Sequence, residues 1–232
     1  MSNVYKVSEP NASVDLVSKV KGPYSTILVD PPWQFQNRTG KVAPEHKRLL
    51  RYPTMELKEV MDLPVPDLSA AKSHLYLWIP NALLQEGLKV MEAWGFTYKT
   101  NLIWYKIRKD GGPDGRGVGF YFRNVTEMVL FGVRGRMRTL QPGRTQVNIL
   151  STRKREHSRK PDEFYDLIER CSPGPYLELF ARFARPGWDQ WGNEDVERNS
   201  LHGVAKRKAH LDAQLAFFEA PKGYSGGARG SL

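Results

Sequence analysis

The chain's 232 residues, 40% of them hydrophobic, suffice for one well-filled domain and are tight for two. A single cysteine excludes a disulfide framework and fits a reducing cytoplasm, five histidines lack metal-ligand spacing, and no apolar run is long enough for a signal peptide or membrane span. The net charge of +10 points instead to a polyanionic partner, nucleic acid first.

Residues 1–20 are polar and read as an irregular arm. Tyr24–Val29 reads as a buried core strand, followed directly by Asp30-Pro31-Pro32-Trp33. Residues 34–51 form a long basic loop, a length that in a compact domain is usually functional. Thr54 is placed to cap a short helix through Met61, stopped before Pro64. A strand is expected over His74–Ile79, then a helix capped by Asn81, running to Trp94 and stopped by Gly95. Strands follow at Thr97–Lys106 and Val125–Val133, around a glycine-rich loop at 111–119. Residues 134–157 are loop-rich, with one strand at Gln146–Leu150. Pro161 suits a first helical position, and Asp162 and Glu163 suit its positive dipole end. Phe164, Leu167, Ile168 and Cys171 then fall on one helical stripe, and Gly174 ends it. Strands at Tyr176–Ala181 and Trp188–Trp191 complete the pattern. Its alternation predicts an α/β fold with a mostly parallel sheet and helices on both faces. The domain so defined is 21–196, with a polar helical extension and a Gly/Ser-rich tail over 197–232.

The positive charge is grouped. Arg134 to Lys160 holds nine Lys or Arg and one acid, Glu156. A second group is Arg38, Lys41, Lys47, Arg48 and Arg51; a third is Lys106, Arg108, Lys109, Arg116 and Arg123. All fall in turn-rich segments, and loops that converge on one sheet rim would track phosphates.

The tetrad at 30–33 lies where open α/β sheets bind ligands, outside the carboxyl ends of strands. If that ligand is adenine, its exocyclic amine is a poor nucleophile, with its lone pair delocalised into the ring. Two acceptors on its N–H bonds would pull the nitrogen toward tetrahedral geometry and aim the lone pair at an electrophile. The Asp30 carboxylate is one acceptor and the Pro31 carbonyl the other, with the Pro31-Pro32 pair fixing φ twice. Trp33 offers a face for base stacking, worth about 1–3 kcal/mol. Such a site works mostly by positioning and electrostatics.

Asp30-Pro31-Pro32-Trp33 resembles the signature of the adenine-N6 methyltransferase family typified by the catalytic subunit of the eukaryotic mRNA adenosine methyltransferase. The resemblance extends in order through "YPTM" (52–55), "LYLWIPN" (75–81), "AWGF" (93–96), "LIWYK" (102–106), "VTEMVLFGVRG" (125–135), "SRKPDEFYDLIERCSPG" (158–174), "LELFAR" (177–182) and "WGNE" (191–194). It implies a Rossmann-like fold with permuted motif order and S-adenosylmethionine as cofactor. It implies Asp30, Lys160, Glu178, Phe180, Arg182, Asn193 and Glu194 on the cofactor side. Tyr52, Trp78, Trp104, Lys106 and Glu127 match positions lining the acceptor side. Read as residues alone, Trp78 and Trp104 are equally core positions, Lys160 is equally a helix-end charge, and Glu127 faces either an edge or a pocket. Phe183-Ala184-Arg185 replaces a His-Asn pair of the mRNA enzyme, and Glu194 replaces an amide. The FxGxG loop of bacterial amino-methyltransferases and a zinc-finger extension are both missing, which suggests a compact prokaryotic or phage-like unit.

These readings converge on a DNA adenine-N6 methyltransferase that takes a flipped or single-stranded base, in the cytoplasm and as a homodimer. Loops 34–51 and 106–123 are expected to flank the base, and 134–157 to meet phosphate or a second subunit. Methylation of RNA adenosine is the first alternative. A non-catalytic nucleic-acid-binding partner of an active enzyme is the alternative from another class.

Overall fold

Alternation builds the sheet. In β1 (Tyr24–Val29), Ile27 and Val29 enter one hydrophobic layer and Leu28 enters the other. That period-2 switching is what a strand covered on both faces requires. β2 (Ser69–Ile79) repeats it, with Leu75, Leu77 and Ile79 in the first layer and Tyr76 and Trp78 in the second.

The computed structural model describes residues 11–34, 54–115, 121–153 and 159–192. It adds β3 (Thr97–Ile107), β4 (Thr126–Arg134), β5 (Ile149–Arg153), β6 (Tyr176–Leu179) and β7 (Trp188–Trp191). The seven strands lie in the order β5-β3-β4-β2-β1-β6-β7. The β1–β2, β1–β6, β3–β5 and β6–β7 pairs are parallel, while β4 runs antiparallel to both its neighbours. Helices α1 (Asn11–Lys19), α2 (Leu57–Met61), α3 (Val65–Leu68) and α4 (Leu84–Ala93) feed Leu16, Val60, Leu68 and Met91 into the first layer. Helix α5 (Glu163–Cys171) buries Phe164, Leu167, Ile168 and Cys171 in the second. At about 1.5–3 kcal/mol for each fully buried large apolar side chain, this stripe outweighs the propensity of so short a helix. The expected α/β fold, mostly parallel with helices on both faces, is the one that forms.

The reversal of β4 positions the site. Its amino end lies at the carboxyl edge of β1 and β2, in the register Ile79 opposite Met128 and Trp104 opposite Glu127. Asp30 after β1, Lys106 near the end of β3 and Glu127 near the start of β4 therefore share one edge. The far end of β4 leaves by the other edge. Arg134 pairs with Ser73, its Nη1 donates to the Pro66 carbonyl at 2.6 Å, and the Leu140 N–H then reaches the Cys171 carbonyl at the end of α5. The single basic rim expected from the sequence is thus divided. Arg136, Arg138 and Arg144 follow the amino edge, whereas Arg153 lies beside Ile107 at the carboxyl edge.

Several boundaries differ from expectation. Residues 11–19 are helical rather than irregular, and Leu16 and Val20 are buried. The cap of α2 is Glu56, whose side chain accepts from the Glu59 N–H while Glu59 accepts the Glu56 N–H, so Thr54 is not used. Asn81 caps nothing; its amide donates to the Thr126 hydroxyl at 3.1 Å, and a 3-10 turn (Asn81–Leu83) precedes α4. Gly95, at φ +75°, does end that segment. β5 begins three residues later than expected, since an edge strand with a half-exposed alternation gives a faint apolar signal. β6 stops at Leu179 because Phe180 adopts φ +64°, which no strand accommodates.

Candidate active site

A chain of alternating charge crosses the carboxyl edge. Lys106 Nζ lies 2.5 Å from Glu127 Oε1, Glu127 Oε2 lies 2.8 Å from Lys160 Nζ, and Lys160 Nζ lies 3.3 Å from Asp30 Oδ1. Register alone brings Lys106 to Glu127, because each is at the site end of adjacent strands. Lys160 arrives from the other side, held by the turn into α5. Its ammonium sits 4.5 Å from the centre of the Trp78 ring, and that of Lys106 sits 4.8 Å from the Trp104 ring. The two readings of Trp78 and Trp104 therefore merge. Both rings are buried core, and their faces form the floor under two site cations.

Burial alone would raise the Glu127 carboxyl, but the two ammonium groups outweigh it and hold the value down to about 2. Burial likewise opposes the Lys160 charge, and Asp30 and Glu127 more than compensate, so its value rises. For Asp30 the balance is reversed. Burial pushes its carboxyl up, and the opposing field of Lys160 does not fully cancel this. Glu127 thus faces the site as a fixed anion, while Asp30 is a carboxylate with an enhanced tendency to take a proton.

The tetrad itself is tightly tied. The Pro31 carbonyl accepts the Trp33 N–H at 2.8 Å, and the Pro32 carbonyl accepts the Met55 N–H at 2.9 Å. One lone pair of the Pro31 carbonyl is thus spent within the turn, and the other remains for a ligand. Trp33 differs from expectation. Its ring is 7% exposed within the first core layer, and its Nε1 donates to the Trp78 carbonyl at 2.9 Å. It anchors the tetrad to β2 instead of presenting an open stacking face.

Beside Asp30 opens a cleft. Asp30 and Glu178 come from neighbouring strands, Arg159 to Tyr165 from the approach to α5, and Phe180 to Arg185 from the link between β6 and β7. The strained φ of Phe180 turns that link over the strand ends, a placement that pre-organised sites tolerate. Glu178 is 8% exposed; burial pushes it up to about 7, although Tyr165 Oη donates to its Oε1 at 2.7 Å and Gln190 Nε2 to its Oε2 at 2.8 Å. Arg185, in the stretch that departs from the mRNA enzyme, lines the cleft and pairs with Asp166 at 2.8 Å and Glu169 at 2.9 Å. Of the expected site residues, the structure assembles Asp30, Lys160, Glu178, Phe180 and Arg182 around the cleft, with Lys106 and Glu127 adjoining through Lys160. Tyr52, Asn193 and Glu194 lie outside the described residues. Arg159, Tyr165 and Gln190 were not singled out from sequence; their signal lies in contacts between distant segments. Among the described residues no three His, Cys, Asp or Glu side chains converge as a metal site, and no helix is long and apolar enough to cross a membrane.

A mostly parallel sheet whose carboxyl edge carries a half-buried carboxylate beside a cleft of mixed charge and aromatic walls defines a Rossmann-like α/β enzyme domain. The MT-A70 family model matches residues 24–194, and the chain belongs to that family. A Type II methyltransferase, M.MunI, from a Mycoplasma species is 30% identical over 210 residues, spanning 82% of this chain and 87% of that protein. The N(6)-adenosine-methyltransferase MT-A70-like of Arabidopsis thaliana is 30% identical over 179 residues, and the human N(6)-adenosine-methyltransferase catalytic subunit METTL3 is 28% identical over 179 residues. These two matches cover 75% of this chain but only 24% and 29% of the relatives, so the chain spans under a third of their length.

Proposed function

We propose that the protein transfers a methyl group from S-adenosylmethionine to the exocyclic N6 of adenine in DNA. The observation that carries this reading is the half-buried Asp30 carboxylate, fixed at the carboxyl edge by Lys160 and standing between the cleft and the Lys106–Glu127 pair. The DNA reading is preferred because the match runs over 87% of a Type II methyltransferase, which we read as a DNA enzyme, and over far less of the adenosine methyltransferases.

The cleft chemistry fits S-adenosylmethionine. Four cations and three carboxyls suit a ligand that carries a carboxylate, an ammonium group and ribose hydroxyls, and Phe180 and Phe183 supply apolar walls for a base. The buried Arg159 Nε has no hydrogen-bond partner among the described residues. We assign Glu178, Phe180, Arg182 and Lys160 to the cofactor side, with Asn193 and Glu194 completing it. Trp78, Trp104, Lys106, Glu127 and Tyr52 take the acceptor side.

When bound, the cofactor supplies an electrophilic methyl carbon on a sulfonium. The chain's own residues prepare the amine. Asp30 Oδ2 accepts one N–H while Oδ1 remains tied to Lys160, and the spare lone pair of the Pro31 carbonyl accepts the other. Together they orient the nitrogen lone pair. Burial makes Asp30 a better proton acceptor than a surface aspartate, which suits the proton released on alkylation. Cytoplasmic location and homodimerisation belong to the same reading, since one domain offers limited surface to a duplex; light scattering of the pure chain checks the latter.

The test is transfer from labelled cofactor to double-stranded DNA, single-stranded DNA and RNA in parallel, with mapping of the modified base. N6-labelled adenine in DNA is expected. Labelling of RNA alone selects the adenosine alternative. No cofactor binding and no labelling would select the non-catalytic partner.

A further inference from the structure

Tyr121 and Phe122 are 95% and 85% exposed, whereas the next most exposed large apolar side chain among the described residues, Val14, is 63% exposed. Single apolar side chains scattered on a surface are ordinary, but two adjacent aromatic rings held almost wholly in water forgo the burial that normally stabilises them. Their place is set by the strands on either side. The Lys106 N–H donates to the Val125 carbonyl at 2.8 Å, and β4 begins at the next residue. Glu127, two residues beyond Val125, joins Asp30 through Lys160. Tyr121 and Phe122 precede Val125 by four and three residues, so they lie at most about 14 Å from it, the span of about four base-pair steps. The end of β3 is pinned as well: the Arg108 N–H donates to the Gly112 carbonyl at 2.8 Å, and the Asp114 N–H to the Lys106 carbonyl at 2.9 Å. Cations accompany the rings on both strand ends, with Lys109 exposed after β3 and Arg123 exposed before β4.

We propose that Tyr121 and Phe122 form a stacking wedge for the bases that flank the target adenine. This rests on the methyltransferase reading above and names how the same edge grips its nucleic acid. Taking one base out of a stack exposes the faces of its neighbours, and an aromatic ring inserted there restores the lost contact. Every base has such a face, so the contact is blind to sequence. The run Tyr121-Phe122-Arg123 sets two faces for bases beside a charge for phosphate. Trp33, expected from the sequence to stack on a base, is buried and tied to the Trp78 carbonyl. That leaves Tyr121 and Phe122 as the exposed rings at this edge among the described residues. A protein partner fits less well. The apolar anchors of a protein interface sit in a core depleted of charge, and here charged side chains stand on both strand ends.

The test is fluorescence anisotropy of the full chain on two single strands of equal length, one a mixed-sequence DNA and the other an abasic deoxyribose-phosphate strand. Tyr121→Ser with Phe122→Ser removes both rings, and their exposure means that thermal unfolding is expected to stay unchanged. The double variant is expected to bind the base-bearing strand about tenfold or more weakly and the abasic strand within about twofold of wild type, with an unaltered salt slope. Equal loss on both strands, or none on either, would overturn the wedge. A second measurement places the rings at the target. In a duplex carrying the adenine that the transfer assay maps, the loss caused by the double variant is expected to shrink to within about twofold once the bases beside that adenine are removed. A loss that persists undiminished overturns the placement. Light scattering covers the protein alternative: a wild-type dimer that the double variant turns into a monomer, with both strands weakened together, makes the rings a subunit interface and removes the wedge. A wild-type chain that binds neither strand and labels no nucleic acid removes the methyltransferase reading itself, whereas strand binding and methyl transfer indifferent to the two rings remove only this inference.

Discussion

At the scale of single residues, the site holds two acids whose ionisation the fold opposes. Burial raises Asp30, so the folded state carries a penalty for its charge that is absent below the unfolded value and present once pH exceeds the folded one. Asp30→Asn removes that penalty and leaves Lys160 paired with Glu127. The expected result is a variant no less stable than wild type at pH 8 but reduced in methyl transfer by about a hundredfold or more, read by thermal unfolding and labelled-cofactor assay. Glu178 allows a cleaner pH argument. Its folded value of about 7 stands above its ordinary 4.5, so the native state binds the proton more tightly. Stability from this group is full below pH 4.5 and is lost as pH rises through 7, by about 3 kcal/mol. Glu127, held at about 2, acts below that window, losing its contribution as pH falls from 4.5. His74, buried neutral near 4, works in the same sense as Glu127 and opposite to Glu178, losing its contribution as pH falls from 6.5 to 4. The difference between wild type and Glu178→Leu isolates the first effect. Urea titrations should show wild type losing about 2–3 kcal/mol more than the variant between pH 5 and pH 8. Parallel pH curves would mean that Glu178 ionises freely.

At the scale of elements, α1 is the part most underestimated by its sequence. Its apolar residues, Val14, Leu16, Val17 and Val20, make no single stripe, and Val14 and Val17 are exposed. Only Leu16 and Val20, one helical turn apart, reach the core, and Trp191 Nε1 on β7 donates to Asp15 Oδ2 at 2.9 Å. Leu16→Ala is expected to cost about 2–5 kcal/mol in chemical denaturation, and a change below about 0.5 kcal/mol would show that α1 is not docked. The same contrast explains what was legible elsewhere. β1 and β7 lie where they were expected: β1 carries an apolar run ended by the Asp-Pro-Pro turn, and β7 two buried tryptophans bounded by Gly187 and Gly192. The α5 stripe was legible from its i, i+3, i+4, i+7 spacing. Asp30, Lys106, Glu127 and Lys160 were legible as family motifs, but their single ion-pair chain was not, because it depends on β4 running antiparallel. Arg159, Tyr165 and Gln190 were hidden for a related reason. Each acquires its meaning from a partner across the cleft, as in the Gln190–Glu178–Tyr165 bonds. Gly192 is a different case: a Cβ there would stand 2.2 Å from the Ala181 carbonyl oxygen, so close backbone approach, not turn conformation, requires it.

At the scale of the whole molecule, the +10 charge matters less than its division between two edges. Arg153 is exposed at the carboxyl end of β5, and Lys109 is exposed in the loop after β3, both on the edge that carries Asp30. Arg138 is exposed on the segment that follows the opposite edge. A nucleic acid whose adenine enters beside Asp30 runs its phosphates along the first edge, and each neutralised phosphate releases counterions. The logarithm of affinity should then fall with the logarithm of salt at about −0.9 per phosphate contact on duplex DNA. Arg153→Gln and Lys109→Gln are each expected to flatten that slope by about one while weakening binding evenly across sequences. Arg138→Gln changes the net charge by the same amount and is expected to leave the slope unaltered. Fluorescence anisotropy over a salt series separates the cases. Were all three variants to flatten the slope equally, net charge alone would govern binding, and the duplex would not be tracking the edge that holds the carboxylate.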